Sequence, residues 1–261
     1  MRAAVRRRWR RRWRRLPAPA KWLACLVLAA TGVLAVNALY QVLRKPTELF
    51  FPVSTVLAKT PEETWRDYAP AFRRYATPRI TPELLAALAQ VEGAGNPLVR
   101  TYWRWAWAPR PFDLYRPASS AVGMYQITDG TFAEARHYCI RRHALVREGE
   151  WNDWHACWFN ALYARVVPRD AIELTAAYLE LKVAAILARR ARTPASALQQ
   201  QHLAAVVHLC GAGAAALYAE RGFRFSDGQR CGEHDPREYL RRVDAMGTQF
   251  ARLAAQPGAD Q

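Results

Sequence analysis

The sequence is poor in strand signals: alternating apolar and polar runs are nearly absent, and alanine-rich stretches with helical spacing recur in their place. That excludes a sandwich or a barrel and predicts a mainly α fold. No internal repeat is present, and the roughly 200 residues beyond residue 60 are within the range of one domain with its own core. Residues 1–21 hold no acidic side chain, and residues 22–43 hold no charged side chain of either sign. Histidine and cysteine occur without a closed zinc-ligand spacing; His137, Cys139, His143 and His155 are suitable types in an unsuitable pattern. Nothing in the chain demands a metal or an organic cofactor, and none is expected.

What is present at the N-terminus is charge followed by oil. Nine arginines and Lys21 precede residue 22, supplying ten of the +16 formal charge and leaving +6 for the rest of the 261 residues. The 22 residues of 22–43 would make a helix of about 33 Å, enough to cross the hydrocarbon core. Arginines before the span and little positive charge just after it place the N-terminus in the cytoplasm and the bulk of the chain outside. Trp9, Trp13 and Trp22 suit one bilayer face, and with a span adjacent the partner of the basic tail is lipid, not nucleic acid. A cleavable signal peptide is the rival, with Val36-Asn37-Ala38 as its cleavage site, but apolar residues continue through Leu39, Tyr40, Val42 and Leu43 and favour an uncleaved anchor. Cys25 lies in no lipoprotein context. The other four cysteines, Cys139, Cys157, Cys210 and Cys231, form an even set suited to disulfides in an exported region. Three pairings exist and the sequence does not choose among them; the sequentially nearest one, Cys139 with Cys157 and Cys210 with Cys231, is the working guess.

Two segments carry the chemistry, residues 84–97 (LLAALAQVEGAGNP) and 119–132 (SSAVGMYQITDGTF). Thr81 can cap the first, Pro82 suits the first helical position and Glu83 the positive end of the dipole. Leu84, Leu85, Leu88 and Val91 follow at helical spacing, and Gly93 and Gly95 allow the chain to stop, so the helix ends at Glu92. Glu92 comes four residues after Leu88 and seven after Leu85, which puts its carboxyl on the apolar stripe. Desolvation and the negative end of the helix dipole there both favour the protonated acid, the form a general acid needs.

These segments together resemble the active-site core of the lytic transglycosylases, lysozyme-like enzymes that cut the glycan strands of bacterial peptidoglycan. The matching residues are Glu92, Asn96, Pro97, Ser120, Gly123, Met124, Tyr125, Gln126 and Thr131. The resemblance implies a lysozyme-like, mainly α transglycosylase domain facing the periplasm, behind a single helix in the bacterial inner membrane. It implies that Glu92 protonates the bond between N-acetylmuramic acid and N-acetylglucosamine, then acts as base on the C6 hydroxyl to give a 1,6-anhydro end without water. Substrate-binding roles fall to Ser120, Gly123, Met124, Tyr125 and Gln126, with Tyr125 offering an aromatic face to a sugar and Gln126 an amide to a sugar or to Glu92. Tyr178, which resembles the family's tyrosine of a Tyr-Leu pair, and His208, which stands where the family has a tyrosine that bonds the glutamate, are counted with the substrate-binding residues. A hydrogen bond from His208 to Glu92 is one expectation, a core histidine the other. Leu209, Ala212 and Gly93 also depart from the family's asparagine, proline and serine. Those departures keep two alternatives in view: a peptidoglycan-binding or assembly protein of the same fold with weak or no turnover, and a muramidase-type hydrolase.

Residues 101–117 form an insertion that holds Trp103, Trp105, Trp107, Phe112 and Tyr115 among Arg104, Arg110 and Arg116. It reads either as a lining of the glycan cleft or as a local hydrophobic cluster under a proline-rich loop. Downstream, Asp170 and Glu173 read as a capping box before a helix with Ile172, Leu179, Val183 and Ile186 on one stripe, stopped at Arg189, Arg190, Thr193 and Pro194. The next helix is expected over about 195–209. The expected organisation is an Arg-rich tail at 1–21, an anchor at 22–43, a linker at 44–60, the transglycosylase domain at 61–248 and a loose tail at 249–261 that includes Pro257-Gly258.

Overall fold

The computed structural model describes residues 13, 16–107, 110–150, 152–189 and 194–256. Trp9, Arg190, Thr193 and Pro257-Gly258 lie outside the described residues. The chain is mainly helical, and by backbone contacts it divides into two compact units: Met1–Leu49 with Tyr102–Ala118, and Phe50–Thr101 with Ser119–Gln261.

The first unit is built on α1 (Ala18–Arg44), 27 residues long. It is long and apolar enough to cross a membrane. Its only buried side chains are polar ones, Asn37 and Gln41, while Leu23, Leu26, Leu28, Leu39 and Leu43 are bare. The expected linker begins as a 3-10 helix, Pro46–Val53. The insertion pairs with this unit as an antiparallel hairpin of β1 (Trp103–Trp105) and β2 (Tyr115–Pro117). Rings of Trp103 and Trp105 lie 5.2 and 4.8 Å from Tyr115, and Tyr40 of α1 lies 5.6 Å from Phe112.

The second unit is a helical body. α2 (Pro61–Tyr75) starts at a capping box made by Thr60 and Glu63. α3 (Pro82–Gly93) starts as the sequence predicts, with the Thr81 hydroxyl accepting from the Leu84 amide, and ends where Ala94 and Gly95 turn left-handed at φ 48° and 63°. A side chain at Gly95 would strike Thr64 Oγ1 at 2.1 Å, so the turn needs glycine for space as well as for φ. Asn96 then locks the turn, donating to the Ser54 carbonyl and accepting from the Leu98 amide.

α3 is the central helix: Leu84 to Ala89 are all buried, and it packs on α2, on α5 (Pro168–Ala188) and on α7 (Pro236–Ala254). Leu85, Leu88, Phe72, Ile172, Leu179, Leu203 and Phe250 fill the core around it. Truncating either α3 leucine to alanine would cost about 2–5 kcal/mol. α4 (Asp129–Ala135) and the hairpin of β3 (Tyr138–Arg141) and β4 (Ala144–Arg147) cover α5.

Three sequence expectations are corrected here. Asp170 and Glu173 make no capping box. Pro168 opens α5 two residues before Asp170, the N-cap Val167 gives no side-chain bond, and Asp170 accepts from the Ala164 amide. Glu173 points inward. The helix expected over 195–209 is the first half of α6 (Ala197–Glu220), which continues past a break at Gly211, φ 79° and ψ 166°. Last, α7 runs to Ala254 and buries Phe250 completely, so the region from 249 begins as packed helix.

The expected disulfides are present, Cys139 with Cys157 and Cys210 with Cys231. The first ties β3 to the loop after β4, and the second ties the α6 break to the loop before α7. Each closes a loop of about 20 residues (separations 18 and 21), worth about 3 kcal/mol in chain entropy.

Candidate active site

Glu92 occupies the last turn of α3, and its side chain is 19% exposed. Oε1 accepts a 2.6 Å hydrogen bond from the hydroxyl of Tyr239, a 2% exposed residue on α7. Burial first, then the charge of Glu92 and the bond to it, hold the Tyr239 phenol well above its ordinary value, so it remains a donor. Oε2 makes no hydrogen bond among the described residues.

His208 of α6 flanks the carboxyl, with Nε2 3.8 Å from Oε1. That separation is too long for a hydrogen bond. Burial lowers the imidazole below its ordinary value against the opposing pull of Glu92 and a bond to the Tyr125 backbone, so it is neutral at pH 7 and the contact is no ion pair. His208 gives Glu92 no hydrogen bond, and the hydroxyl that does comes from Tyr239 on another helix. Sequence reasoning missed Tyr239. Its signal lies in the capped start at Asp235-Pro236 and the stripe Tyr239, Leu240, Val243 and Phe250, where one residue carries a hydroxyl that needs a buried partner.

The turn at 123–126 closes on the end of α3. A Cβ at Gly93 would come within 2.8 Å of the Met124 backbone, so the close approach needs glycine. Gly123, at φ 78°, passes as close to the Arg165 carbonyl, 2.4 Å from where its Cβ would sit. Met124 and Tyr125 are wholly buried. The Tyr125 hydroxyl donates to the Leu85 carbonyl at 3.1 Å, and its ring lies edge-on to His208 at 6.4 Å. Tyr125 is therefore core that braces α3 and His208, and its face is not offered for stacking on a sugar.

The remaining candidates are engaged elsewhere. Gln126, at φ 48°, turns its amide onto its own loop, donating to the carbonyls of Gly123 at 2.9 Å and Val99 at 3.3 Å. The Ser120 hydroxyl accepts from the Asp129 amide, and its carbonyl accepts from Arg165. Tyr178 is partly buried on α5 beneath Lys182, which is 5.4 Å from its ring centroid. The structure thus gathers Glu92, Met124, Tyr125 and His208, adds Tyr239, leaves Ser120 and Gln126 in other bonds, and sets Tyr178 beneath Lys182. No protein-family model matches the chain, and no curated protein matches it significantly.

No group of three or more His, Cys, Asp or Glu side chains is arranged to hold a metal ion among the described residues. Cys139 is committed to its disulfide, and His137 meets Glu148 at 2.6 Å. The chemistry the cluster can perform is proton transfer by one carboxyl. With Oε1 held by the Tyr239 hydroxyl, Oε2 is the oxygen at which a proton can be given or taken.

Proposed function

We propose that the chain is a membrane-tethered peptidoglycan lytic transglycosylase, with a lysozyme-like domain outside the cytoplasm and Glu92 as its single acid and base. The observation that carries the proposal is the asymmetric Glu92 carboxyl: one oxygen is fixed by Tyr239 and the other is open at the end of a buried helix, beside a turn whose sequence resembles the family's. Glu92 gives its proton from Oε2 to the oxygen leaving C1 of the muramic sugar, and the sugar's own N-acetyl oxygen supports the positive charge. The carboxylate then takes the proton of the C6 hydroxyl as that oxygen bonds to C1. One proton is given and one recovered, and no water is consumed. Tyr239 orients the carboxyl in both states, and neutral His208 shields it from solvent. The apolar α1 and the two disulfides support the location: a helix able to anchor the chain, and bridges that persist outside the cytoplasm.

The test is digestion of purified peptidoglycan by the full-length protein in detergent, with Glu92→Gln alongside. The proposal expects fragments with anhydro ends from the wild type only. Hydrated ends would assign a hydrolase, and binding without release would assign an assembly protein. The inward turn of the Gln126 amide favours the latter as the second reading.

A further inference from the structure

We propose that the insertion hairpin of residues 102–118 is an interfacial membrane element, seated in the headgroup layer on the outer side of the bilayer and bound there to anionic phospholipid. The inference rests on reading α1 as an uncleaved membrane span.

The length of α1 sets the geometry. Its 27 residues rise about 40 Å, more than the roughly 30 Å of hydrocarbon and close to the full bilayer with its headgroups. With the Arg-rich end at one face, the last two turns fall in the opposite headgroup layer. Those turns are where the hairpin is fastened. Asn37 donates to the carbonyls of Phe112 and Tyr115 at 3.2 and 3.1 Å, Gln41 donates to Phe112 at 2.7 Å, and Arg44 meets Asp113 at 3.4 Å. Irregular backbone near the hydrocarbon needs its carbonyls satisfied, and two of them are served here by amide side chains of α1.

The hairpin surface has the chemistry of that layer. Tyr102, Trp105 and Trp107 are 62%, 69% and 102% exposed, and large amphipathic rings of this kind collect at the membrane–water interface. Arg104 stands directly opposite Arg116 in the register, and Arg110 is exposed at the far end. Like charges opposed across a hairpin repel, so the pair is stabilised when an anion lies between or over them. Phospholipid phosphate meets that need at the depth where α1 holds the strands.

The test uses the full-length chain with Cys25→Ala in vesicles of phosphatidylethanolamine and phosphatidylglycerol. A nitroxide is placed on Trp107→Cys and, separately, on Leu28→Cys, and collisions are measured with oxygen and with a water-soluble nickel chelate. The proposal expects the label at 28 to be shielded from nickel throughout. It expects the label at 107 to be shielded several-fold in these vesicles and to lose part of that shielding when phosphatidylglycerol is omitted or Arg104→Ala is added. A shielded label at 28 with a fully nickel-accessible label at 107 overturns the hairpin proposal while sparing the anchor. An accessible label at 28 removes the anchor reading and the hairpin proposal with it. Shielding at 107 that ignores both lipid charge and Arg104 overturns the anionic-lipid part.

Discussion

Glu92 and Glu173 are both glutamates on helices facing inward, and both receive a tyrosine hydroxyl: Tyr239 at 2.6 Å for Glu92, Tyr163 at 2.8 Å for Glu173. They differ in the second oxygen. The Glu173 Oε1 accepts from the Ile140 amide at 3.0 Å, which pins β3 to α5. Glu180 is built the same way, with Thr77 on one oxygen and Arg79 on the other. Glu92 alone of the three keeps Oε2 unbonded among the described residues, and its side chain is 19% exposed against 8% for Glu180. A carboxylate with both oxygens satisfied belongs to the fold. One held by a single donor, with the other oxygen open, is poised to exchange a proton.

Exchanging the two glutamates' fates is the strongest way to break that contrast. Glu92→Gln is expected to lower peptidoglycan cleavage by about 10²–10⁴, the range of one general acid, with the urea midpoint nearly unchanged. Glu173→Ala is expected to do the reverse: it strands the Ile140 amide and the Tyr163 hydroxyl and lowers unfolding free energy by about 3 kcal/mol, read from denaturant curves. Equal stability losses in the two variants would erase the distinction. The tyrosines sharpen it at smaller scale. Tyr239→Phe should reduce turnover about tenfold and leave Oε1 unheld, whereas Tyr163→Phe should cost about 1–2 kcal/mol of stability and leave turnover intact in the surviving folded protein.

The smallest effect concerns pH. His208 is lowered in the folded state, so the unfolded chain takes up its proton first as pH falls. Its contribution to stability is complete above the ordinary histidine value near 6.5 and is lost below it, down to the folded-state value. Glu92 and the Tyr125 backbone face the ring, and both oppose the lowering. Thermal midpoints taken from pH 7 to pH 5 should fall less steeply for His208→Gln than for the wild type. Parallel slopes would show that the imidazole is not buried as neutral.

Much of this contrast was legible in the sequence. Thr81, Pro82 and the leucines of α3 fixed the helix, its end and the side on which Glu92 lies, because capping and 3.6-residue periodicity are local. The even cysteine set was legible too, but not its pairing, since four cysteines allow three and only the fold joins the nearest neighbours. Tyr239 was not legible, since it reaches Glu92 across 147 residues of sequence and looks locally like one more apolar position. Gln126 falls in a stretch that resembles a motif and Tyr125 replaces one of its residues, yet such a resemblance states which residues are near and not where their polar atoms turn; the left-handed φ of Gln126 directs its amide to its own loop. Asp170 and Glu173 show the same limit. Their spacing suits a capping box, but burial against β3 gave Glu173 a better partner. The insertion's place on α1 depended on Asn37 and Gln41, two amides in an apolar run whose partners lie over 70 residues away.

The most direct test of the central claim is cleavage of peptidoglycan by the full-length protein in water enriched in oxygen-18, with Glu92→Gln run beside it. The account predicts new muramic ends of anhydro mass that carry no heavy oxygen, and release that nearly vanishes in the variant. Heavy oxygen in every new end, or equal release by Glu92→Gln, would contradict it.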